Sequence, residues 1–216
     1  MDIINSTPYI SNTYQYLLKY FENDASNDCI VLFPYSLTTP IEVLKSNYNK
    51  VILFNQEQIG SPWFTDEYID KLKKADEVWD YDEYNIEHLK YIREDIKLHC
   101  LKPFIVIPEQ DKEYDVLFYG SWNSRREKIL NELLNAGVNV KIIDGVFGDD
   151  LNDYIAKSKC LLNIHYYDAC LQEQDRLIRW VGNGKIFSEK SRTNYLNIDE
   201  YEYDELVPSI IGYLSK

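Results

Sequence analysis

DVLFYGSWNSRREKILNELLNAGVNVKIIDGVFGDDLNDYIAKSKCLLNIHYYDACLQEQDRLIRWVGNGKIFSE, residues 115–189, alternates short apolar runs with longer amphipathic segments. That alternation is the pattern of a parallel sheet covered by helices, because a doubly covered strand is apolar throughout while a helix buries only one stripe. The spacing predicts strands at Asp115–Tyr119, Val138–Ile143, Cys160–Ile164 and Lys185–Ser188. Helices are expected at Ser124–Ala136, Asp149–Lys157 and Gln172–Val181, with Asp149 and Asp150 read as helix caps. A closing helix is expected over Tyr203–Leu214, started or broken by Pro208.

Upstream the same alternation recurs in shorter pieces. Strands are expected at Cys29–Phe33, Val51–Phe54, Glu77–Trp79 and Ile96–Leu98, with helices at Ile41–Ser46, Phe64–Lys74 and Tyr84–Ile92. Between the halves, LKPFIVIPEQDKEY (residues 101–114) places two prolines and a charged stretch where neither period continues. The sequence therefore reads as α/β with two Rossmann-like lobes, residues 1–108 and 109–216, each a parallel sheet flanked by helices.

Composition narrows the function classes. The chain has 216 residues, 45% of them hydrophobic, which is enough for two small cores and argues against disorder. Its net charge of −13 repels phosphate backbones and anionic lipid at long range, so nucleic-acid and membrane-surface roles are disfavoured. A small anion held by converging Arg and Lys side chains remains compatible. Cys29, Cys100, Cys160 and Cys170 lie far apart without CxxC pairing and read as reduced core residues. The opening MDIINSTPYISNTYQYLLKYF carries an acidic residue at position 2 and no uninterrupted apolar core, so no signal peptide or membrane insertion is expected and a cytoplasmic setting follows.

Ligands of such sheets bind beyond the carboxyl ends of the strands, so the residues directly after each strand carry the information. After the first strand of the second lobe comes YGSWNSRREKIL: Gly120 and Ser121 in a turn, then Arg125 and Arg126 as a helix begins. A glycine turn admits a ligand close to the backbone, and a helix start with arginines suits a diphosphate. The same residues also fit a plain helix cap with solvated arginines. After the third strand stand Asn163, His165, Tyr166 and Tyr167, then Glu173 and Arg176 three apart. A carboxylate there can accept two ribose hydroxyls, but the pair also fits a surface ion pair, and His165 fits a structural histidine. In the first lobe, NQEQ (55–58) is equally readable as a polar strand end bonded to its own backbone.

Taken together these pieces resemble the C-terminal domain of GT-B glycosyltransferases from bacterial and viral glycan clusters. The resemblance rests on Gly120, Arg125 and Arg126; on Lys159, Asn163 and His165 in KCLLNIHYY; on Glu173 and Arg176; and on Ser188 with Glu189. VILFNQEQ and EVWDYDEYN in the first lobe are similar to further segments of that family. The resemblance implies metal-independent transfer of a sugar from a UDP- or GDP-sugar to a glycan or other hydroxyl acceptor, with no cofactor. It implies donor contacts from Gly120, Ser121, Arg125, Arg126, Lys159, Glu173 and Arg176, and an acceptor side with Asn55, Gln58, Tyr81 and Asn85. Glu57 and His165 are the candidates for the base that takes the acceptor proton. Retaining members carry a second glutamate eight positions after the first, where this chain has Val181, so stereochemistry stays open, as does a homodimer. The alternative is a non-catalytic module that keeps the fold and binds nucleotide or glycan without turnover.

Overall fold

A computed structural model describes residues 1–9, 11–168 and 170–216. The chain divides into two compact units, Met1–Leu101 and Lys102–Lys216. The division precedes the expected one after Pro108 for a local reason. Asn183 accepts from the Ile107 N–H at 2.7 Å and donates to the Ile105 carbonyl at 3.0 Å, which ties the proline-rich stretch to the second unit.

The first unit is a parallel sheet of five strands in sequential order: β1 (Asp2–Asn5), β2 (Asp28–Leu32), β3 (Lys50–Asn55), β4 (Glu77–Asp80) and β5 (Lys97–Leu98). Side chains alternate across it. Cys29, Val31, Val51, Leu53 and Val78 face Ile41 and Leu44 of α2 (Ile41–Asn47), Tyr68 and Leu72 of α3 (Asp66–Lys74), and Leu89 of α4 (Glu83–Leu89). The remaining helix of the unit, α1 (Asn12–Tyr20), is capped by the Ser11 side chain, which accepts from the Tyr14 N–H at 3.0 Å. The sequence reading passed over β1 and α1. A four-residue strand and an aromatic-rich helix give little period to detect.

The second unit is a parallel sheet in the order β10-β9-β8-β6-β7. Its strands are β6 (Tyr114–Tyr119), β7 (Val140–Ile143), β8 (Ser158–Asn163), β9 (Lys185–Glu189) and the two-residue β10 (Glu200–Tyr201), which the sequence reading did not include. Val116, Phe118, Cys160, Leu162 and Phe187 bury one face under Ile129, Leu130 and Leu133 of α5 (Ser124–Asn135) and Leu206, Val207 and Ile210 of α8 (Leu206–Leu214). Pro208 sits in the first turn of α8, where its missing N–H costs no helical bond.

Two expected helices are shorter than the sequence suggests. Over Gln172–Val181 only α7 (Gln174–Leu177) is α-helical, because Gln172 is buried and bonded to Asn194 and to the Leu196 N–H, holding the chain off a helical path. Over Asp149–Lys157 the helix α6 is Leu151–Ala156, preceded by a 3-10 turn at Gly148–Asp150. Neither aspartate caps it: Asp150 makes no side-chain cap bond, and Asp149 accepts from Arg179 at 3.2 Å. The four cysteines are free thiols; Cys29, Cys160 and Cys170 are buried, and burial pushes their pKa values up to about 12, 12 and 11. No helix among the described residues is long and apolar enough to cross a membrane.

Candidate functional site

In the second unit, β7 lies to one side of β6 and β8 to the other, so the strand order reverses between β6 and β8. A reversal leaves a crevice at the carboxyl ends of those strands, because the connections leave in opposite directions there. Gly120 follows β6 and His165 follows β8, which brings both stretches singled out in the sequence to one place. The first sheet runs β1 to β5 without reversal and has no such crevice.

Gly120 adopts φ +134, a backbone region that disfavours side chains, and a Cβ there would lie 2.7 Å from Arg176 Nη2 and 3.4 Å from Arg126 Nη1. Two guanidinium groups thus converge on a bare backbone turn. Arg126 is buried to 1% exposure; its Nε donates to the Ile164 carbonyl at 2.9 Å and its Nη1 to the Ser121 carbonyl at 2.8 Å. Its Nη2 has no hydrogen-bond partner and stands 3.5 Å from Glu173 Oε1. Burial, with Arg176 as a neighbouring like charge, lowers the Arg126 pKa to about 10. Arg176 donates to Asn163 Oδ1 at 3.2 Å and lies 3.6 Å from Glu173.

Glu173 sits at the centre of this group. Oε1 faces both arginines and Oε2 lies 3.4 Å from His165 Nδ1. Burial works to raise its pKa, but Arg176, His165 and Arg126 outweigh it and hold the carboxyl at about 2. Its side chain keeps 27% exposure, so one edge still faces solvent. His165 is fully buried, with its N–H on Glu189 at 2.9 Å and Nε2 at 3.3 Å from Ser191 Oγ. The ring is enclosed between Glu173 and Ser191, so of the two candidate bases it is the one without solvent access.

Arg125 is also corrected. Its guanidinium forms a double hydrogen bond to Glu189, pairs with Asp168 at 2.6 Å and lies 4.2 Å over the Tyr203 ring. With those partners it braces α5 against β9 and is already neutralised. Lys159 lies at the opposite end of β8 from Asn163 and pairs with Asp115 at 2.7 Å, away from the Gly120 turn. Ser121 stays at the site through its carbonyl.

The residues expected on the acceptor side form a different kind of cluster. Asn55 and Asn85 are fully buried, and both side chains donate to the Glu57 carbonyl, at 2.9 and 2.8 Å. Asn55 also donates to Asp80 at 2.6 Å and accepts from Tyr68 OH at 2.6 Å. These asparagines hold the loop after β3 through its own backbone. Gln58 and Tyr81 are half-buried; their carbonyls accept from the Ser61 N–H at 3.1 Å and Cys100 Sγ at 3.8 Å. Glu57 is the titratable group that the loop presents: burial pushes its carboxyl up to about 7 against a hydrogen bond from Ser61. Asp80, enclosed beneath it, is pushed up to about 8 by burial.

Known proteins bear on the fold. The chain is 29% identical over 220 residues to uncharacterized protein L140 of Acanthamoeba polyphaga mimivirus, covering 94% of this chain and 71% of that one. It is 29% identical over 198 residues to uncharacterized protein L138 of the same virus, covering 80% of this chain but only 21% of L138. Among solved structures it is similar to a chain described as "Glycosylation Associate Protein (Gap123) complex from Streptococcus agalactiae". The TM-score is 0.50 at 12% identity, covering 93% of this chain and 51% of that one. No protein-family model matches the sequence. The protein is an α/β chain of two Rossmann-like units, and it spans about a fifth of L138 and half of the solved chain.

Proposed function

We propose that the protein is a glycosyltransferase whose second unit holds the diphosphate of a nucleotide-sugar donor at the Gly120 turn. The observation that carries this reading is the convergence of Arg126 and Arg176 on Gly120, with Arg126 Nη2 buried and without a hydrogen bond. Glu173 already lies beside both guanidinium groups, and a diphosphate at the turn would give Arg126 Nη2 the hydrogen-bond partner it lacks and Arg176 a further anion. The position at a strand-order reversal and the motif resemblance support the same ligand.

Transfer breaks the bond between the sugar's anomeric carbon and the donor phosphate oxygen and forms one to the acceptor oxygen. The bonding pair leaves on the diphosphate, where Arg126 and Arg176 stabilise the developing charge without need of a metal. The acceptor's hydroxyl proton passes to a base. The non-catalytic reading is favoured by one observation: His165, the other candidate base, is fully enclosed.

Incubation with a panel of UDP-, GDP-, ADP- and CDP-sugars, followed by detection of released nucleoside diphosphate, tests the proposal. Release from at least one donor, abolished in Arg176→Ala, is the expected result. Binding of a diphosphate with no release from any donor, with or without a panel of glycoside acceptors, would leave the non-catalytic module.

A further inference from the structure

His165 is the one histidine of the second unit, and its ring is fully buried just beyond the carboxyl end of β8 with a polar group at each nitrogen. Nδ1 lies 3.4 Å from Glu173 Oε2, and Nε2 lies 3.3 Å from Ser191 Oγ. A neutral imidazole carries one proton, so it donates on one side and must accept on the other. The directions of the neighbouring hydrogen bonds decide whether one proton is enough.

At Nδ1 the partner is an ionised carboxylate: burial works against the charge of Glu173, yet Arg176, His165 and Arg126 hold its pKa at about 2. A carboxylate only accepts, so Nδ1 carries a proton. At Nε2 the Ser191 hydroxyl has a single proton to give, and both that hydroxyl and the Ser191 N–H bond the Glu200 carboxyl of β10. Burial raises the Glu200 pKa, and these two bonds together with the charge of His165 oppose the rise. With its proton directed to Glu200, Ser191 Oγ is left to accept from Nε2, so that nitrogen carries a proton as well. The row Glu200, Ser191, His165, Glu173 is thus satisfied throughout by a doubly protonated ring.

The wider surroundings suit a buried cation, which is tolerated where it is paired and hydrogen-bonded. Glu189 at the end of β9 accepts from the His165 N–H at 2.9 Å, so three carboxylates stand around the residue. Arg125 of α5 donates to the His165 carbonyl at 3.3 Å and is itself paired with Glu189 and Asp168. Arg126 and Arg176 face the other oxygen of Glu173, at 3.5 and 3.6 Å. Glu173 therefore has two arginines on one oxygen and His165 on the other. A diphosphate at the two arginines brings further negative charge beside that carboxylate, and an imidazolium on its far oxygen offsets the repulsion.

We infer that His165 is held as an imidazolium and serves, through Glu173, as a third cation of the anion site at the Gly120 turn. The charge on the ring stands on the hydrogen-bond directions, whereas its effect on a ligand rests on the diphosphate reading. His165 is then a positioning residue: it touches Glu173 and not the diphosphate, and its proton stays in place during transfer.

Nitrogen NMR of the whole chain labelled at histidine reads the charge directly, because the imidazolium and the two neutral tautomers differ in their ring-nitrogen shifts. The chain has three histidines, and the signal missing from His165→Gln identifies the ring. At neutral pH His165 should show the imidazolium pattern, and a saturating nucleoside diphosphate should keep that pattern to higher pH. Ser191→Ala leaves the ring in place and removes the acceptor at Nε2, so the pattern should be lost at lower pH. Titration calorimetry with UDP, GDP, ADP and CDP reads the effect on binding. His165→Gln should bind the preferred diphosphate roughly fivefold or more weakly at neutral pH, the size of a moderate coupling between neighbouring sites. That difference should shrink as pH rises through the loss of the imidazolium, over a background in which phosphate gains charge above about pH 6 with both proteins. If His165→Gln does not fold, Ser191→Ala carries both measurements, and the ring is the signal that this variant moves. A neutral tautomer at neutral pH overturns the inference, as does equal affinity of wild type and variant at every pH. If wild type binds none of the four, the diphosphate reading fails and the third-cation role with it, while the NMR signal still decides the charge on His165.

Discussion

Arg125 and Arg126 are neighbours in sequence and differ in everything that matters to an anion. Arg125 is neutralised by Glu189 and Asp168, whereas Arg126 keeps a buried nitrogen without a hydrogen bond beside Arg176. Arg125→Ala is therefore expected to cost about 3 kcal/mol of stability by stranding the buried Glu189, measured by urea unfolding. Arg176→Ala should weaken diphosphate binding by about 1.5–3 kcal/mol, the worth of a hydrogen bond to a charged group, and should also lower stability, because Arg176 is the strongest influence holding the Glu173 carboxyl ionised. Gly120→Ala should do both, since its Cβ would displace Arg176 and its backbone disfavours any side chain. The adjacent arginines and the glycine turn were legible in the sequence. Which arginine reaches the Gly120 turn was not, because Glu189 lies on a different strand and only the folded chain brings it to Arg125. Lys159 shows a different limit: its motif matched, but it begins β8, and ligands gather at the other end of a strand.

At the scale of elements, the strands and helices of the second unit were readable from their period, and the Gly120 turn and the end of β8 fell where expected. The loop after β3 was left open in the sequence between an acceptor-side segment and a polar strand end bonded to its own backbone. NQEQ is polar so that Asn55, with Asn85 and Asp80, can satisfy the loop's own backbone from within the core. Asn55→Ala is expected to cost about 1–3 kcal/mol, the penalty of leaving buried polar groups unpaired, by the same unfolding measurement. Folding raises the Glu57 pKa from 4.5 to about 7, so the folded state holds that proton more tightly than the unfolded one. Its contribution is then complete below pH 4.5 and is lost as pH rises through about 7. Glu173 has the opposite sign: its contribution is present above pH 4.5 and is lost as pH falls toward 2. Glu57→Gln should flatten the decline of melting temperature between mildly acidic and neutral pH, and an unchanged profile would show that the carboxyl is solvated.

The whole molecule pairs two units with separate cores, and only the second has a reversal of strand order. The proposed donor site accordingly falls on the second unit. Hydrogen exchange should show a nucleoside diphosphate protecting amides around Gly120–Arg126 and His165–Arg176. The central claim is that Arg126 and Arg176 make the Gly120 turn a diphosphate site. Isothermal titration of the whole chain with UDP, GDP, ADP and CDP in the presence of EDTA measures it most directly. The account predicts saturable binding of at least one of them in wild type, weakened roughly tenfold or more in Arg176→Ala at a temperature where both proteins are folded. Failure of all four to bind with or without a divalent metal, or equal affinity in wild type and Arg176→Ala, would contradict it.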